Sequence, residues 1–417
     1  MRRPARLVAL ALALAGALAG TGGAGGQAAP PAAAPDGGPV HDPSAFAYGL
    51  SDSVRVSLLT TLPGREIYSL FGHSALRVRD DAAGLDRTYN FGTFDFDQSF
   101  FVLRFLGGRL DYVLSTAPFW AVLQQDRAEG RPVIEQRLRL PPDAARALYA
   151  RLEDNALPQN RAYRYDFFWD NCSTRLLDNV DSALVAVGGP GLALPPAERR
   201  RTFRDLLGPY WAGVPLVGVG ADFALGTPPD RLASAREEAF LPIELAGQLD
   251  RATVGGRPLV ASRDTLFWVP GAGMPRPAPP VPTALGWLAL AVGLGATLAG
   301  GWRHHGRAGR WADAVLFGAV GFAGLVAFLL WTATAHTVTG PNLNVLWAWP
   351  THLAAAVLLG RGGAGRWTRA YFGAAAAAAA LVALAWTALP QTLPAPLFPV
   401  VVLLAARAAV RAATNAP

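Results

Sequence analysis

Two residues of this chain have side chains that could carry out covalent chemistry together, a thiol and an imidazole. Cys172 is the only cysteine among 417 residues, and it sits in Phe167-Phe168-Trp169-Asp170-Asn171-Cys172-Ser173-Thr174-Arg175. Leu176, Leu177, Val180, Ala183, Leu184 and Val187 then recur at helical spacing, so Asn171 is the expected N-cap and Cys172 falls in the first turn. Unpaired N–H groups and the helix dipole at that place favour the thiolate, which is scarce for an unperturbed thiol of pKa ~8.5. Far upstream, Phe71-Gly72-His73-Ser74-Ala75-Leu76-Arg77-Val78 sets the one histidine of the central region at the mouth of a strand-like run. An imidazole there would hold the thiol proton, completing a nucleophile and a base. A lone free cysteine is more often a small buried hydrophobe. The flanking Asp170-Asn171 and the upstream His73 shift the reading toward chemistry.

The elements that must position this pair read as a mixture of strands and helices. Val54 to Thr61, Ser74 to Arg79 and Arg87 to Phe94 alternate as strands, the last two joined by the turn-rich Asp80 to Asp86. Ile134 to Leu140 alternates as another strand, and Pro141 to Asn155 places Ala145, Leu148 and Leu152 on one helical face, with Ala156 continuing it. The class is α+β. From Gly188 to Pro270, short helices such as Glu198 to Leu207 and Ala233 to Leu249 alternate with Pro/Gly breaks. That stretch carries no residue pattern that points to chemistry, and its two candidate roles are to cover the cleft or to rest on a membrane surface.

The ends of the chain place this domain outside the cytoplasm. A basic start, an apolar run from Leu7 to Leu18 and a small-residue stretch read as a signal peptide over 1–29, followed by a lead-in linker over 30–53. The catalytic candidate region is 54–269, and a stiff Pro-rich linker occupies 270–282. Apolar runs near 283–301, 312–332, 345–360, 370–389 and 396–412 predict an all-α membrane domain, 283–417, of about five transmembrane helices. Arg303, Arg307 and Arg310 lie in the first connection, Arg361, Arg366 and Arg369 in the third, and Arg407 and Arg411 near the end, while the second and fourth connections carry none. By the positive-inside rule the linker and the second connection then lie on the outer side, with Cys172. In that connection His336, Asn342 and Asn344 cluster with tryptophans and are candidate contacts to a lipid headgroup or substrate, although such tryptophans usually serve as belt anchors.

Composition removes several functions. The net charge of +7 comes from arginines scattered along an exported chain, which argues against a nucleic-acid partner. The chain has no lysine, which excludes a Walker A lysine, a Schiff-base lysine and a Ser-Lys dyad. It also has no H-E-x-x-H and no G-x-S-x-G, and no metal or other cofactor is expected. One cysteine permits no internal disulfide. Arg77, Arg161 and Arg175 could bind phosphate, although arginines of this kind are more often solvated or locally paired.

The FGHS segment, Tyr89-Asn90-Phe91-Gly92, the run from Asn160 to Arg175 and the loop from His336 to Pro350 resemble the Lnb-type lipoprotein N-acyltransferase family. The resemblance covers nearly everything after the signal peptide, and Asn171-Cys172-Ser173-Thr174-Arg175 is its most specific part. It implies a permuted papain-like (NlpC/P60-like) thiol domain in which the His strand precedes the Cys helix. It further implies a multi-pass protein of the bacterial inner membrane whose Cys172 takes an acyl chain from a phospholipid and passes it to the N-terminal amine of a lipoprotein. In permuted papain-like folds the group orienting the imidazole lies on the next strand, which makes Asn90 the choice, with Asp95 behind it. A thiol phospholipase or cell-wall peptidase using water, and a non-catalytic membrane assembly or transport protein, remain the competing readings.

Overall fold

The computed structural model describes residues 49–93, 104, 107–299, 306–362 and 366–414. The signal peptide, most of the lead-in linker, Asp95 and Arg303 lie outside the described residues. Two compact units emerge: Trp211–Arg231 belongs with the part of the chain from Pro277 onward, and the rest, up to Tyr210 and over Leu232–Arg276, forms the other.

The second of these is built on one antiparallel sheet. In chain order it has β1 (Arg55–Thr61), β2 (His73–Asp80), β3 (Leu85–Thr93), β4 (Asp111–Pro118), α1 (Phe119–Ala128), β5 (Val133–Leu138), α2 (Pro142–Ala156), β6 (Ala162–Arg164), α3 (Cys172–Ala186) and α4 (Phe203–Trp211). After the excursion into the other unit through α5 (Pro215–Ala224) follow α6 (Ala235–Glu238), α7 (Pro242–Arg251), the small hairpin β7 (Thr253–Val254) and β8 (Arg257–Pro258), and β9 (Val260–Phe267). The seven-stranded order is β6-β4-β3-β2-β1-β5-β9. Alternation sorts the faces. Val56, Leu58, Leu76, Val78, Tyr89, Phe91, Tyr112 and Leu114 join one core with Leu148 and Leu152 of α2, Leu176, Leu177 and Val180 of α3, and Leu245 of α7. On the opposite side of β2, Arg77 pairs with Asp86 and Glu135 and lies 3.4 Å over the Phe119 ring.

The expected hairpin between β2 and β3 closes because Asp80 Oδ1 accepts from the N–H groups of Ala82 and Ala83, and Gly84 takes φ 64°. The helix expected over Ala233 to Leu249 is two helices, because Pro242 has no N–H to continue the first and starts the second at its N1 position. The helix expected over Glu198 to Leu207 begins later, at Phe203.

Beyond Pro277, four helices among the described residues are long and apolar enough to cross a membrane: α8 (Val281–Leu298), α9 (Arg307–Ala333), α11 (Arg366–Leu384) and α12 (Phe398–Thr414, extended at its start by the turn from Ala395). The third expected span is different in kind. Its helix α10 (His352–Gly360) has nine residues, about 14 Å at 1.5 Å per residue, against the ~30 Å of a bilayer core. The missing length is not α-helical and holds one short 3-10 turn, Leu343–Leu346. Glycines of α9 record its path: a methyl at Gly324 would fall 1.7 Å from the Ala348 carbonyl oxygen, one at Gly321 2.7 Å from the Leu353 nitrogen, and one at Gly318 3.5 Å from the Ala356 methyl. Above these, Gly340 lies against Trp331, and below them Gly360 lies against Trp311. The segment 340–360 thus runs antiparallel to α9 from Trp331 to Trp311, a helical rise of about 30 Å between two exposed tryptophans of the kind that mark interfaces. It is a broken span, irregular in its upper half and helical in its lower half.

Arg407 and Arg411, read from sequence as orientation charges, are fully buried in α12. Arg407 grips Asp313 of α9 through two bonds of 2.8 and 2.9 Å and Thr297 of α8 at 2.8 Å, and Arg411 adds a 2.5 Å bond to Asp313. Arg307, Arg310, Arg361, Arg366 and Arg369 are the remaining charges that mark the inner side. Gly324→Ala is expected to destabilise by about 1–3 kcal/mol through overpacking against Ala348, whereas Gly295→Ala, which meets nothing within 4 Å, leaves the detergent melting temperature unchanged. Melting curves of the two variants check this.

Candidate active site

Cys172 is the first residue of α3, and Asn171 fixes it there. The Asn171 side-chain oxygen accepts from the N–H groups of Ser173 (2.7 Å) and Thr174 (2.9 Å), while Thr174 Oγ1 accepts from the Asn171 N–H (2.8 Å), a complete capping box. Its amide nitrogen donates to the carbonyls of Phe167 (2.6 Å) and Phe240 (2.8 Å). Just upstream, Asp166 and Asp170 exchange backbone bonds of 3.1 and 2.9 Å, and Asp170 holds Arg175 through bonds of 2.5 and 2.8 Å. Arg175 also lies 3.6 Å over the Tyr163 ring. The turn before the helix is therefore held on both sides.

The FGHS segment meets this helix start. Phe71 packs on Phe167 with ring centroids 4.7 Å apart, within an aromatic cluster that includes Phe168, Phe203 and Phe240. Gly72 takes φ 77°, and a methyl there would sit 2.6 Å from the Thr61 carbonyl oxygen, so only glycine admits the turn into β2. Ser173 Oγ donates to Ser74 Oγ at 3.2 Å. The Ser74 N–H, which belongs to the His73–Ser74 peptide bond, is among the backbone groups that favour the Cys172 thiolate, with the N–H groups of Ser173 and of Cys172 itself. The α-carbon of His73 is two covalent bonds from the first of these donors.

Electrostatics correct one expectation. Burial pushes the Cys172 thiol above its usual value, and the surrounding N–H groups and the Ser173 hydroxyl offset that only in part. This works against the anion expected from its position on the helix, because an N-terminal dipole does not replace the water removed around a residue only 8% exposed.

His73 is the first residue of β2, paired across the sheet with Thr61. Its pKa is lowered to about 4, first by burial and then by the positive charge of Arg131, while a hydrogen bond with the Asn90 side chain pulls it back up. Asn90 is 2% exposed, and its Oδ1 has no partner within hydrogen-bond geometry among the described residues. Behind this pair Thr61 Oγ1 donates to Asp126 at 3.1 Å, and Asp126 lies 3.8 Å from Arg131. Burial raises the Asp126 carboxyl to about 6. The sequence reading missed Thr61, Asp126 and Arg131, which converge on His73 only through the pairing of β1 with β2 and the return of the chain from α1 to β5. It also missed the bulge in β3 between Asn90 and Thr93, where Gly92 at φ 91° sits beside Cys172 and Tyr165. The Tyr165 ring stacks on Tyr112 at 4.2 Å.

The remaining candidates are already engaged or belong to the helical unit. Arg77 and Arg175 are spent on Asp86, Glu135 and Asp170, an internal ion-pair arrangement rather than an open anion site. In the helical unit His336 is half-buried, while Asn342 and Asn344 are buried and donate to the carbonyls of Phe223 and Ala224. The arrangement of Cys172, His73 and Asn90 can supply a nucleophile, a neutral base and a group to orient it.

A folded-state pKa near 4 against 6.5 unfolded means that the unfolded chain binds the extra proton first. His73 therefore contributes stability fully above about pH 6.5 and loses it as pH falls toward 4. A histidine proton titration should place His73 near 4, and Asn90→Ala should move it lower, since the bond removed is the one that raises it.

Two family models match the chain. The Lnb N-terminal periplasmic domain covers residues 48–206, and the Lnb transmembrane domain covers 277–415. No curated protein and no solved structure matches. The first match contains His73, Asn90 and Cys172, and the second contains all four long apolar helices and the broken span. Together they make this a membrane protein with a periplasmic domain, and the chain belongs to the Lnb family of membrane-associated, lipoprotein-processing proteins.

Proposed function

We propose that this protein is a cysteine-dependent acyltransferase of the inner membrane, moving an acyl chain from a phospholipid to the N-terminal amine of a lipoprotein. The observation that supports this reading is the place of Cys172 as first residue of α3, where Ser173 Oγ bonds to Ser74 Oγ at 3.2 Å and so brings the strand that begins at His73 to the helix start. In the first step the sulfur attacks the ester carbonyl as His73 takes the thiol proton. The S–C bond forms, the ester C–O bond breaks, and the proton passes to the departing lysophospholipid oxygen. The N–H groups at the helix start offset the negative charge on the tetrahedral oxygen. In the second step the lipoprotein amine attacks the thioester carbonyl, His73 accepts its proton, and the C–S bond breaks to return the thiol.

The neutral resting pair suits this order, because no ion pair has to be kept in a desolvated site before the donor arrives. Burial of Cys172 favours transfer to a delivered amine over transfer to bulk water, which sets acyl transfer above the hydrolase readings. The long apolar helices that follow keep the same chain in contact with its lipid donor.

Incubating the purified protein with phospholipid should add one acyl mass to the peptide containing Cys172, removable by hydroxylamine and absent from Cys172→Ala. Adding a diacylglyceryl lipopeptide should move that mass to its amine, whereas release of free fatty acid alone would identify a hydrolase. His73→Gln should lower the rate by about 10²–10⁴. The acid limb of kcat/KM should fall near pH 4, where the free-enzyme imidazole becomes protonated, rather than near 6.5.

A further inference from the structure

Trp211–Arg231 leaves the sheet-bearing part of the chain at Tyr210, returns to it at Leu232, and packs with the membrane helices in between. We propose that this excursion is a re-entrant hairpin immersed in the periplasmic leaflet, with the free face of α5 in contact with phospholipid acyl chains. The inference does not depend on the acyl-transfer reading.

The hairpin starts at the interface. The Ala212 carbonyl accepts from the Ala278 N–H at 2.8 Å, shortly before α8 begins at Val281. From there α5 runs Pro-Leu-Val-Gly-Val-Gly-Ala before its only charged residue, Asp222, and packs against α8 and α9. Its C-terminal end is the decisive feature. The last carbonyls of a helix have no partner within the helix, and in hydrocarbon no water can supply one. Here the carbonyls of Phe223, Ala224 and the C-cap residue Leu225 receive buried side-chain amides: Asn342 donates to Phe223 (2.9 Å) and Ala224 (3.1 Å), Asn344 donates to Phe223 (2.9 Å), and Gln391 donates to Leu225 (2.9 Å).

The depth of this clamp follows from the broken span. Asn342 and Asn344 lie between Gly340, level with Trp331, and Ala348, level with Gly324, so they sit within about 10 Å below the outer interface. The chain then climbs back. The Gly226 N–H donates to Val338, the Thr227 N–H to Pro341, and Asp230 accepts from the Thr392 N–H. A methyl at Gly226 would meet the Pro341 carbonyl oxygen at 2.4 Å, so this close approach requires glycine. With α8 and α9 on its inner side, α5 leaves Leu216, near the start of its descent, 65% exposed, and acyl chains are the occupant that an apolar side chain against spanning helices would meet.

The test uses the full chain with Cys172→Ser, which removes the only native thiol. Leu216→Cys, Val292→Cys on the exposed face of α8 and Val185→Cys on the sheet-bearing unit are labelled with bimane in mixed phosphatidylcholine and phosphatidylglycerol vesicles. Doxyl-lipid quenching at position 216 should match that at 292 and exceed that at 185 severalfold, and a membrane-impermeant maleimide should react severalfold more slowly at 216 than at 185. Asn342→Ala with Asn344→Ala should speed the reaction at 216 without changing it at 185. Reactivity at 216 equal to that at 185 would show an aqueous hairpin, and absence of both quenching and reaction would show a protein-covered one; either result overturns the proposal.

Discussion

One side chain carries the local architecture of the site. Asn171 uses its oxygen to cap the first turn of α3 and its nitrogen to hold the carbonyls of Phe167 and Phe240. The first pair of bonds decides where the helix begins, and the second decides where the aromatic turn before it lies. An alanine at an N-cap costs a helix about 1 kcal/mol, but here it would also leave buried carbonyls without donors. Aspartate could copy the cap and not the donors. The position of Cys172, and through it the meeting with Ser74, follows from this double use of one amide.

The chemistry set up by that meeting is one of neutral groups. Burial acts on both partners in the same sense, raising the thiol and lowering the imidazole, so each resists its charged form. The local aids to charge, N–H groups for the sulfur and the Asn90 bond for the imidazole, are present but outweighed at rest. They become useful when a substrate carbonyl arrives and charge has to move. On the proposed acyl-transfer reading, the site is preorganised for a charge distribution that exists only during reaction, which is where electrostatic stabilisation lowers a barrier.

The same accounting for buried polar groups explains the helical unit. Its upper part contains irregular backbone, which hydrocarbon tolerates only where every N–H and C=O has a protein partner. Asn342, Asn344 and Gln391 are those partners, and their polarity is structural in this fold. Deeper in, Asp313 is shared by Arg407 and Arg411, tying α9 to α12 through fully buried charges. Breaking one side of such a cluster leaves an uncompensated charge, so the pairing fixes which helices are neighbours more than it adds stability.

Periodicity and capping chemistry are local, and the sequence alone determined what depends on them: the start of α3 at Asn171, the arms and turn of the β2–β3 hairpin, the helix after Pro141, and four of the membrane helices. It also brought Asn90 forward, through resemblance, as a residue of the strand after His73. What it could not determine was set by distance in the chain and by removal of water. Thr61, Asp126 and Arg131 carry no joint signal until β1 pairs with β2. The third span reads as a short apolar run with a proline in it, and its break is not legible because hydropathy reports composition and not backbone path. Arg407 and Arg411 read as interfacial charges because their partner lies in another helix. The protonation of Cys172 and His73 was decided only by tertiary burial, since a helix dipole can be read from residue order whereas desolvation exists only once the other elements have closed around the site.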